Sequence, residues 1–456
     1  MKNTNLQIED YKYYIFYLAF FSLIPLWNIP HTIAARYVCE GLLLILALSF
    51  ALDWKPILSK SKLVILFIFY LFIQLLLFST DLKSGLSGFK SEWMHFILFS
   101  LAGAGAGLIA SKQKSENMLL FLGIAFAVPL LIHLSLSAMK GVEIGDIPWR
   151  YWGINEIHGD LGYTALQASI LLSTYFLCAS KARWQSALSL ALLLSCIASP
   201  LIAQSRGGVI FAIVGIVFTA ATYFVMAQKK SSFSVKSLVT LIATIICIGF
   251  LVKIGISVDP TRWGGTLSRA LVGFHGDPNI LYCNGIDSLR KSLQAKGVDI
   301  TPEIEAGIKS VEDGDGARVM AARSGLRMAI ENPMGINGSK QAYQTAITEF
   351  CGKSPAIFIS HTHNAWVDTS LAIGIPGAIL LLLVMLNYGW QGFKMIRQPQ
   401  QLNPFALALF VSASIWIFRG MLDSTLRDQM LEMQAFTLAF LLASAVNYQV
   451  KISGTK

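Results

Sequence analysis

Hydrophobic residues in this chain are gathered into long apolar runs that are separated by short polar connections. About twelve of these runs approach the roughly 20 residues that a helix needs to cross a bilayer. Their centres lie near Phe20, Leu44, Phe72, Leu101, Pro129, Leu172, Leu193, Val217, Ile245, Leu380, Val411 and Phe440. The pattern predicts an all-α integral membrane protein with about twelve transmembrane helices.

The composition supports a membrane location. Hydrophobic residues make up 54% and charged residues 14% of the 456-residue chain, and the mean hydropathy is +0.58. These are too few charges to cover a soluble globule, so a soluble enzyme or binding domain is excluded. No cleavable signal stands out, and the first span is therefore expected to remain as an anchor.

The basic residues predict how the helix bundle is oriented. Short connections on one side carry most of the lysines, including Lys55, Lys60, Lys62, Lys112 and Lys114. The positive-inside rule makes that side cytoplasmic, and an even number of crossings places both termini there. The net charge of +10 therefore reflects topology and contact with anionic membrane lipids. The sequence shows no compact surface of basic and aromatic residues, so nucleic acid is not predicted as a partner.

One connection, from about Ser257 to Ser360, is far longer than the others. A connection of roughly a hundred residues predicts a folded domain. The predicted organisation is therefore residues 1–256 with transmembrane helices one to nine, 257–364 as a mainly helical external domain, and 365–456 with helices ten to twelve and a tail.

Two of the cysteines, Cys283 and Cys351, lie in this external domain. The predicted topology places them in an oxidising compartment. They are expected either to form a disulfide or to remain two free thiols.

Arginines on the external side are candidate anion-binding residues. The stretch Asp313-Gly-Asp-Gly-Ala-Arg318 predicts a turn into a helix that runs to about Glu331 and is stopped by Asn332-Pro333. Arg318 lies in the first turn, where the helix amides favour anions, and Arg323 lies further along the same helix. These arginines either bind an anion or form a solvated or lipid-headgroup-facing surface.

Arg206 lies where two apolar runs meet, in Ala203-Gln-Ser-Arg-Gly-Gly208. Placing an arginine toward the bilayer centre costs at least about 2.5–3.5 kcal/mol, so Arg206 is expected to face a polar cavity or an anion. Its planar guanidinium suits bidentate binding of a phosphate, with lipid phosphate as the alternative partner. Arg150 and Asp423 join the same external rim. Since few charges are predicted deep in the spans, an ion carrier is not favoured.

The sequence His361-Thr-His363-Asn364 closes the polar stretch directly before the tenth apolar run. An imidazole exchanges protons near neutral pH, so this position predicts acid–base chemistry on a polar substrate delivered by lipid. His363 is favoured as the base, with His361 as the alternative. Asn364 is expected to hold an imidazole or a substrate hydroxyl, and Asp368 either orients the base or has a packing or capping role. A metal site on the two histidines lacks a clear third ligand.

Four motifs resemble those of the O-antigen ligase and polymerase superfamily, which includes bacterial O-oligosaccharyltransferases. They are Asn155-Glu-Ile-His158-Gly-Asp160, Ser205-Arg206-Gly207, Gly316-Ala-Arg318 with Asn332-Pro-Met-Gly335, and His363-Asn364 with Gly374. The resemblance covers the chain from about Asn155 to Asp423. It departs from the family pattern at Gly335-Ile-Asn337, where Gly-x-Gly is common, and Asp423 matches a family aspartate only by its place in the last external loop.

The resemblance implies a metal-independent glycosyltransferase of the GT-C type that needs no cofactor. Such an enzyme acts on the periplasmic side of the Gram-negative inner membrane. It transfers a glycan from undecaprenyl pyrophosphate to an acceptor hydroxyl, which in the ligase branch belongs to a sugar of the lipid A core. His363 matches the catalytic histidine, and Arg206 and Arg318 match pyrophosphate-binding residues. Arg323 and Arg150 are further candidates for the pyrophosphate because they are predicted on the same side.

An O-antigen ligase is the favoured function, and three alternatives stay open. They are an O-antigen repeat-unit polymerase, then a protein O-oligosaccharyltransferase, or a non-enzymatic polysaccharide exporter. Ligase and polymerase share the donor and the machinery, so these motifs do not separate them.

Overall fold

A computed structural model describes residues 2–79, 81–112, 117–154, 158–228, 235–263, 266–398 and 402–454. These residues form helices and connecting segments, and none of them belongs to a β-strand. The helices are α1 (Lys2–Leu26), α2 (Ile33–Ser49), α3 (Lys55–Lys60), α4 (Lys62–Ile73), α5 (Leu82–Gly88), α6 (Met94–Lys112), α7 (Met118–Ile144), α8 (His158–Cys178), α9 (Arg183–Ile202), α10 (Arg206–Gln228), α11 (Val235–Val258), α12 (Pro260–Trp263), α13 (Thr266–Val272), α14 (Pro278–Asn284), α15 (Ile286–Ala295), α16 (Pro302–Asp313), α17 (Asp315–Glu331), α18 (Ala342–Cys351), α19 (Ala365–Ile396), α20 (Pro404–Gly420) and α21 (Asp428–Gly454). Two π-helical segments, Gln74–Phe78 and Phe89–Trp93, follow α4 and precede α6.

The apolar runs of the sequence correspond to helices of the fold. Each of the twelve predicted centres falls inside a different helix, namely α1, α2, α4, α6 to α11 and α19 to α21. Within the described ranges, seven helical stretches are long and apolar enough to cross a membrane, and Lys62–Phe78, Ile248–Val258 and Pro404–Gly420 are shorter apolar helices. The predicted fold class is confirmed, because the chain is an all-α integral membrane protein. Residues 155–157, which open one of the four motifs, lie outside the described residues.

Glycines bring the central helices into backbone contact. A Cβ atom added at Gly103 of α6 would lie 2.2 Å from the carbonyl oxygen of Phe436 in α21, and one at Gly107 would lie 2.5 Å from that of Phe440. Since no larger residue fits at either place, α6 and α21 pack more closely than helices with side chains between them.

Charged residues are also buried between helices, close to the first turns of α2 and α21. Arg36 of α2 and Glu432 of α21 form a buried ion pair at 2.8 Å, and the side chain of Glu40 lies one turn further along α2 with only 3% exposure of the residue. The charges are tolerated inside the bundle because opposite signs on neighbouring helices face each other instead of lipid.

The region between α11 and α19 contains the helices α12 to α18. In it α17 packs against α13, α16 and α19. The helix α17 starts at Asp315 and ends directly before Asn332-Pro333. Cys283 at the end of α14 and Cys351 at the end of α18 form a disulfide with their Cα atoms 5.3 Å apart.

The helix α19 is broken near its first third. Gly374 has a φ of 84° inside the helix, and Pro376 follows it. The break frees backbone carbonyls at Leu371, Ala372 and Ile373. They accept hydrogen bonds from the N–H of Ile336 (2.9 Å), the N–H of Gly338 (2.7 Å) and the Tyr70 hydroxyl (2.7 Å). Non-helical backbone inside a membrane protein is tolerated where such partners exist.

The segment after α17 reaches α19 through two glycines that face each other. Gly335 has a φ of 83°, and a Cβ atom added to it would lie 2.4 Å from the nitrogen of Gly374. A Cβ atom on Gly374 would lie 2.7 Å from the carbonyl carbon of Met334. Both residues therefore lack a side chain for the same reason, namely the close approach of two backbones. This contact explains why glycines occur in two separate motifs of the sequence.

We predict that Gly374→Ala destabilises the protein by about 1–3 kcal/mol, because alanine is strained at positive φ and its Cβ atom meets a backbone that cannot move aside. Gly389→Ala in the same helix is the matched control, since its nearest neighbour would be the Cβ atom of Ala413 at 3.7 Å. Thermal unfolding of both variants in detergent measures the difference. Equal melting temperatures would contradict the role of the Gly335–Gly374 contact.

Candidate catalytic site

The first turn of α19 is capped by Asn364. Its side-chain oxygen accepts the N–H groups of Trp366 and Val367 at 3.1 Å each, and its amide nitrogen donates to the carbonyl of Met421. An asparagine in this position satisfies two of the free N–H groups that every helix start presents. Asn364 therefore fixes where α19 begins and ties it to the connection between α20 and α21.

The two histidines directly before this cap lie against each other. The ring centroids of His361 and His363 are 4.3 Å apart and the rings are inclined by 61°. His363 has a φ of 54°, an uncommon conformation for a residue with a side chain. The Nδ1 atom of His363 is buried and has no hydrogen-bond partner among the described residues, whereas Nδ1 of His361 is 2.7 Å from the Ser360 hydroxyl. Strained backbone with an unsatisfied polar atom is typical of functional sites.

The histidine-bearing loop is held in place by Asp368. One oxygen of this carboxylate accepts the N–H of Thr362, which lies between the two histidines, at 2.8 Å. The other oxygen accepts the hydroxyl of Ser424. Asp368 thus fixes the backbone that presents both imidazoles.

Asp423 is a half-buried carboxylate of this site. Its Oδ2 atom accepts the hydroxyl of Tyr163 at 2.7 Å and its backbone carbonyl accepts the N–H of Ala365 at 3.1 Å. The guanidinium of Arg419 lies 4.0 Å above the ring of Tyr163. Burial alone would raise the pKa of Asp423, but Arg419, Arg318 and the Tyr163 hydrogen bond outweigh it and lower this pKa. Asp423 is therefore ionised beside His363.

The helical period decides which arginine of α17 reaches the histidines. Arg318 and Gly325 are seven residues apart and share one face of the helix. A Cβ atom at Gly325 would lie 2.3 Å from Thr362 Cγ2, so this face packs on the histidine-bearing loop. Arg323 lies on a different face, where its guanidinium donates to the carbonyls of Gly273 (2.8 Å) and Gly276 (3.2 Å). Arg318 thus lies on the face of α17 that packs on the histidine-bearing loop, and its charge acts on both imidazoles, whereas Arg323 holds a backbone turn.

The other two predicted arginines are paired with carboxylates. Arg206 binds both oxygens of Asp315, with NH2–Oδ1 at 2.6 Å and NH1–Oδ2 at 3.1 Å, and its NH1 also donates to Thr266. Asp315 is the first residue of α17, one turn before Arg318, so Arg206 is linked to the same helix end. Arg150 forms an ion pair with Asp259, and its side chain is 61% exposed.

The electrostatic setting keeps both imidazoles neutral. Burial lowers the pKa of His363 to about 3, and the neighbouring His361 and the cation of Arg318 act in the same direction. Burial also lowers the pKa of His361, where Arg427 and Arg318 add to the effect and Asp368 and Asp423 oppose it. A neutral imidazole whose nitrogen has no hydrogen-bond partner can accept a proton, so the arrangement is suited to general-base chemistry.

Several residues of the site were missed in the sequence. Tyr163, Asp315 and Ser424 gave no signal that set them apart from ordinary interfacial residues, and Arg427 was visible only as a charge of the external rim. Arg419 was visible only as one more charge of the external rim, although it is 2% exposed in the structure. Burial of an arginine between aromatic rings depends on the packing of α8, α10 and α20, which a local pattern does not reveal.

The fold and this site define a multi-pass helical membrane protein with two imidazoles and a carboxylate at the start of α19. Residues 188–382 match the family described as O-antigen ligase. Over this segment the match confirms the resemblance to the O-antigen ligase and polymerase superfamily that was found in the sequence. The match includes Arg206, Arg318, His361 and His363, and it ends before Asp423. No curated protein gives a significant match to the chain.

We predict that Arg206 and Asp315 stabilise the fold as a pair. Arg206→Gln and Asp315→Asn are each expected to lower the melting temperature, and the double variant is expected to lose less than the sum, with a coupling energy of about 1–3 kcal/mol. The more exposed pair of Arg290 and Glu305 is the control, for which a weaker coupling is expected because solvent screens its charges. Additive losses at Arg206 and Asp315 would show that the pair contributes nothing as a unit.

Proposed function

We propose that this protein is a periplasmic-face glycosyltransferase that moves O-antigen glycan from undecaprenyl pyrophosphate to a sugar hydroxyl of the lipid A core. One observation carries the proposal. The helix α17 brings the charge of Arg318 close to a half-buried imidazole pair at the start of α19, in which His363 has a strained backbone, within the segment that matches the O-antigen ligase family. An O-antigen ligase needs this combination of a base and a cation, because it must activate a hydroxyl and release a pyrophosphate.

His363 is the proposed general base. Its Nδ1 atom is the buried nitrogen that lacks a partner in the described part of the chain, and it is the atom we assign to the acceptor hydroxyl. General-base catalysis of this kind contributes typically about a hundredfold to ten-thousandfold. Asp423, which is ionised and close to His363, stabilises the imidazolium that forms when the proton is taken up. Asp368 keeps the histidine-bearing loop in position.

The reaction is a substitution at the first carbon of the glycan. The acceptor oxygen forms a bond to this carbon while its proton passes to His363, and the bond between the carbon and the phosphate oxygen breaks. The electron pair of the broken bond leaves with undecaprenyl pyrophosphate. Arg318 is proposed to stabilise the charge that develops on the leaving group, since a fixed guanidinium in a partly desolvated site is strongly effective.

Arg206 is proposed to contact the pyrophosphate as well, but only together with Asp315. The carboxylate of Asp315 occupies the forked edge of this guanidinium and also contacts Arg269 at 3.3 Å. A pyrophosphate therefore meets Arg206 as part of a charged group of three residues. Arg323 and Arg150 are engaged with backbone carbonyls and Asp259, and we assign them to the support of the surrounding structure rather than to the donor.

The membrane orientation belongs to the same proposal. The excess of lysine in the short connections supports a cytoplasmic position of both termini, with the α12–α18 region and the imidazoles on the periplasmic side of the inner membrane. A lipid-linked donor reaches such a site from the outer leaflet of that membrane.

A deletion strain tests ligase against polymerase. Without a ligase, long lipid-linked polymer accumulates and the lipid A core remains bare. Without a polymerase, the core carries a single repeat unit. The first result is expected, the second would assign the protein to the polymerase branch, and glycan trapped on the cytoplasmic leaflet would assign it to export.

We predict that His363→Ala abolishes glycan transfer, with a loss of at least about a hundredfold in kcat. His361→Ala is expected to retain more activity because its Nδ1 already has the Ser360 hydroxyl as a partner. His275→Ala, an exposed histidine of the same region, is the control and should behave as wild type. Transfer from purified donor to purified core is measured, with melting temperatures recorded for each variant. Wild-type activity of folded His363→Ala would remove this residue from the mechanism.

The low pKa of His363 predicts the pH dependence of the reaction. Above a pKa of about 3 the free enzyme already carries the neutral base, so kcat/KM should change less than about twofold between about pH 5 and pH 8. Protonation removes the base as the pH falls, and the loss should therefore begin below about pH 5. A bound pyrophosphate offsets Arg318 and raises the pKa of His363, so the acid limb of kcat should lie at higher pH than that of kcat/KM. A half-maximal kcat/KM near pH 6.5, the value of an ordinary histidine, would contradict the site electrostatics.

A further inference from the structure

Arg427 lies in the connection between α20 and α21, next to the imidazole pair. Its Nε atom donates to Asp428 at 3.0 Å. Asp428 also forms an ion pair with Lys340, and its N–H donates to the buried carboxylate of Glu92 at 3.0 Å. One edge of the Arg427 guanidinium is therefore held by Asp428, whose carboxylate also binds Lys340 and whose backbone N–H binds Glu92.

The NH1 group of Arg427 is in a different situation. It is buried and has no hydrogen-bond partner among the described residues, although the side chain as a whole is 21% exposed. A buried N–H of a charged group without an acceptor is costly, and native structures retain such groups mainly where a ligand or water completes them. The unfilled edge thus indicates an acceptor that enters from outside the chain.

The position of Arg427 indicates that this acceptor binds near the imidazole pair. Arg427 and Arg318 are the two guanidiniums whose charges depress the pKa of both His361 and His363. They come from different elements, Arg427 from the α20–α21 connection and Arg318 from α17. By contrast, the forked edge of Arg206 is already filled by Asp315.

We propose that Arg427 is a substrate-binding residue whose NH1 group takes a phosphate oxygen at the imidazole pair, together with Arg318. Guanidiniums bind phosphate through charge-assisted hydrogen bonds, and two of them beside a base suit a doubly charged group. The phosphate belongs either to the pyrophosphate of the donor or to a phosphate on the acceptor saccharide. The assignment deepens the proposed function and rests on it for the identity of the substrates.

The variants Arg427→Gln and Arg427→Lys test the proposal, with Arg318→Gln as the positive reference. Asp428 keeps Lys340 as a partner in both variants, so neither leaves a carboxylate without a cation. Arg290→Gln is the matched control, because Arg290 also pairs with acidic neighbours but is set in α15, outside the site. Melting temperatures establish which variants are folded, and Arg427→Lys keeps the test valid if the glutamine variant does not fold.

Binding of inorganic pyrophosphate by calorimetry is the first measurement, because it requires no transfer activity. We expect Arg427→Gln to weaken binding about tenfold, as Arg318→Gln does, and Arg427→Lys to weaken it less. Arg290→Gln should leave it unchanged. This measurement distinguishes the anion site from the proposed function, since loss of binding supports the site even if no glycan is transferred.

Steady-state kinetics with phosphorylated and dephosphorylated core acceptor is the second measurement. An increased KM for the donor alone assigns the phosphate to the donor. An increased KM for the phosphorylated acceptor, absent with the dephosphorylated one, assigns it to the acceptor. Unchanged pyrophosphate binding together with unchanged KM values in folded Arg427 variants would overturn the proposal.

Discussion

The contact between Gly335 and Gly374 is the constraint on which the rest of the site depends. Two backbones meet where neither chain carries a side chain, and the segment after α17 supplies the N–H groups that the broken α19 requires. The segment that follows the helix with Arg318 is therefore joined to the first third of α19, in addition to the contact between Gly325 and Thr362. Their relative position is set by backbone geometry, which tolerates less variation than side-chain packing.

Charge is distributed around the imidazoles by burial and by pairing. Asp423 is compensated by Arg419 and Tyr163, Asp315 by Arg206 and Arg269, and Asp428 by Lys340 and Arg427. The carboxylates are thus held by neighbouring groups, whereas no described residue forms an ion pair with Arg318. The charge of Arg318 is therefore available to an anionic substrate, whereas the carboxylates are already compensated. The desolvated surroundings strengthen the attraction between Arg318 and the anion.

The sequence was most informative where a property is local. Apolar length located the helices, because the bilayer thickness dictates it, and the transition from polar to apolar residues at His363 located the start of α19. It was least informative where a property depends on which helices become neighbours. Three arginines of one kind, Arg206, Arg318 and Arg323, received the same prediction, yet the periodicity of α17 and the presence of Asp315 give them three different surroundings. The buried Arg36–Glu432 pair was overlooked for the same reason, since its two partners are far apart along the chain and meet only after folding.

The disulfide between Cys283 and Cys351 links the site to the redox state of its compartment. It closes a segment of 68 residues that contains the whole of α17, and closure of a loop of this size disfavours the unfolded chain by about 4 kcal/mol in the chain-entropy description. The disulfide therefore stabilises the segment that carries Arg318 only after the two thiols have been oxidised. Newly inserted chains acquire this stabilisation once they are exposed to oxidising surroundings, so maturation of the protein is coupled to thiol oxidation.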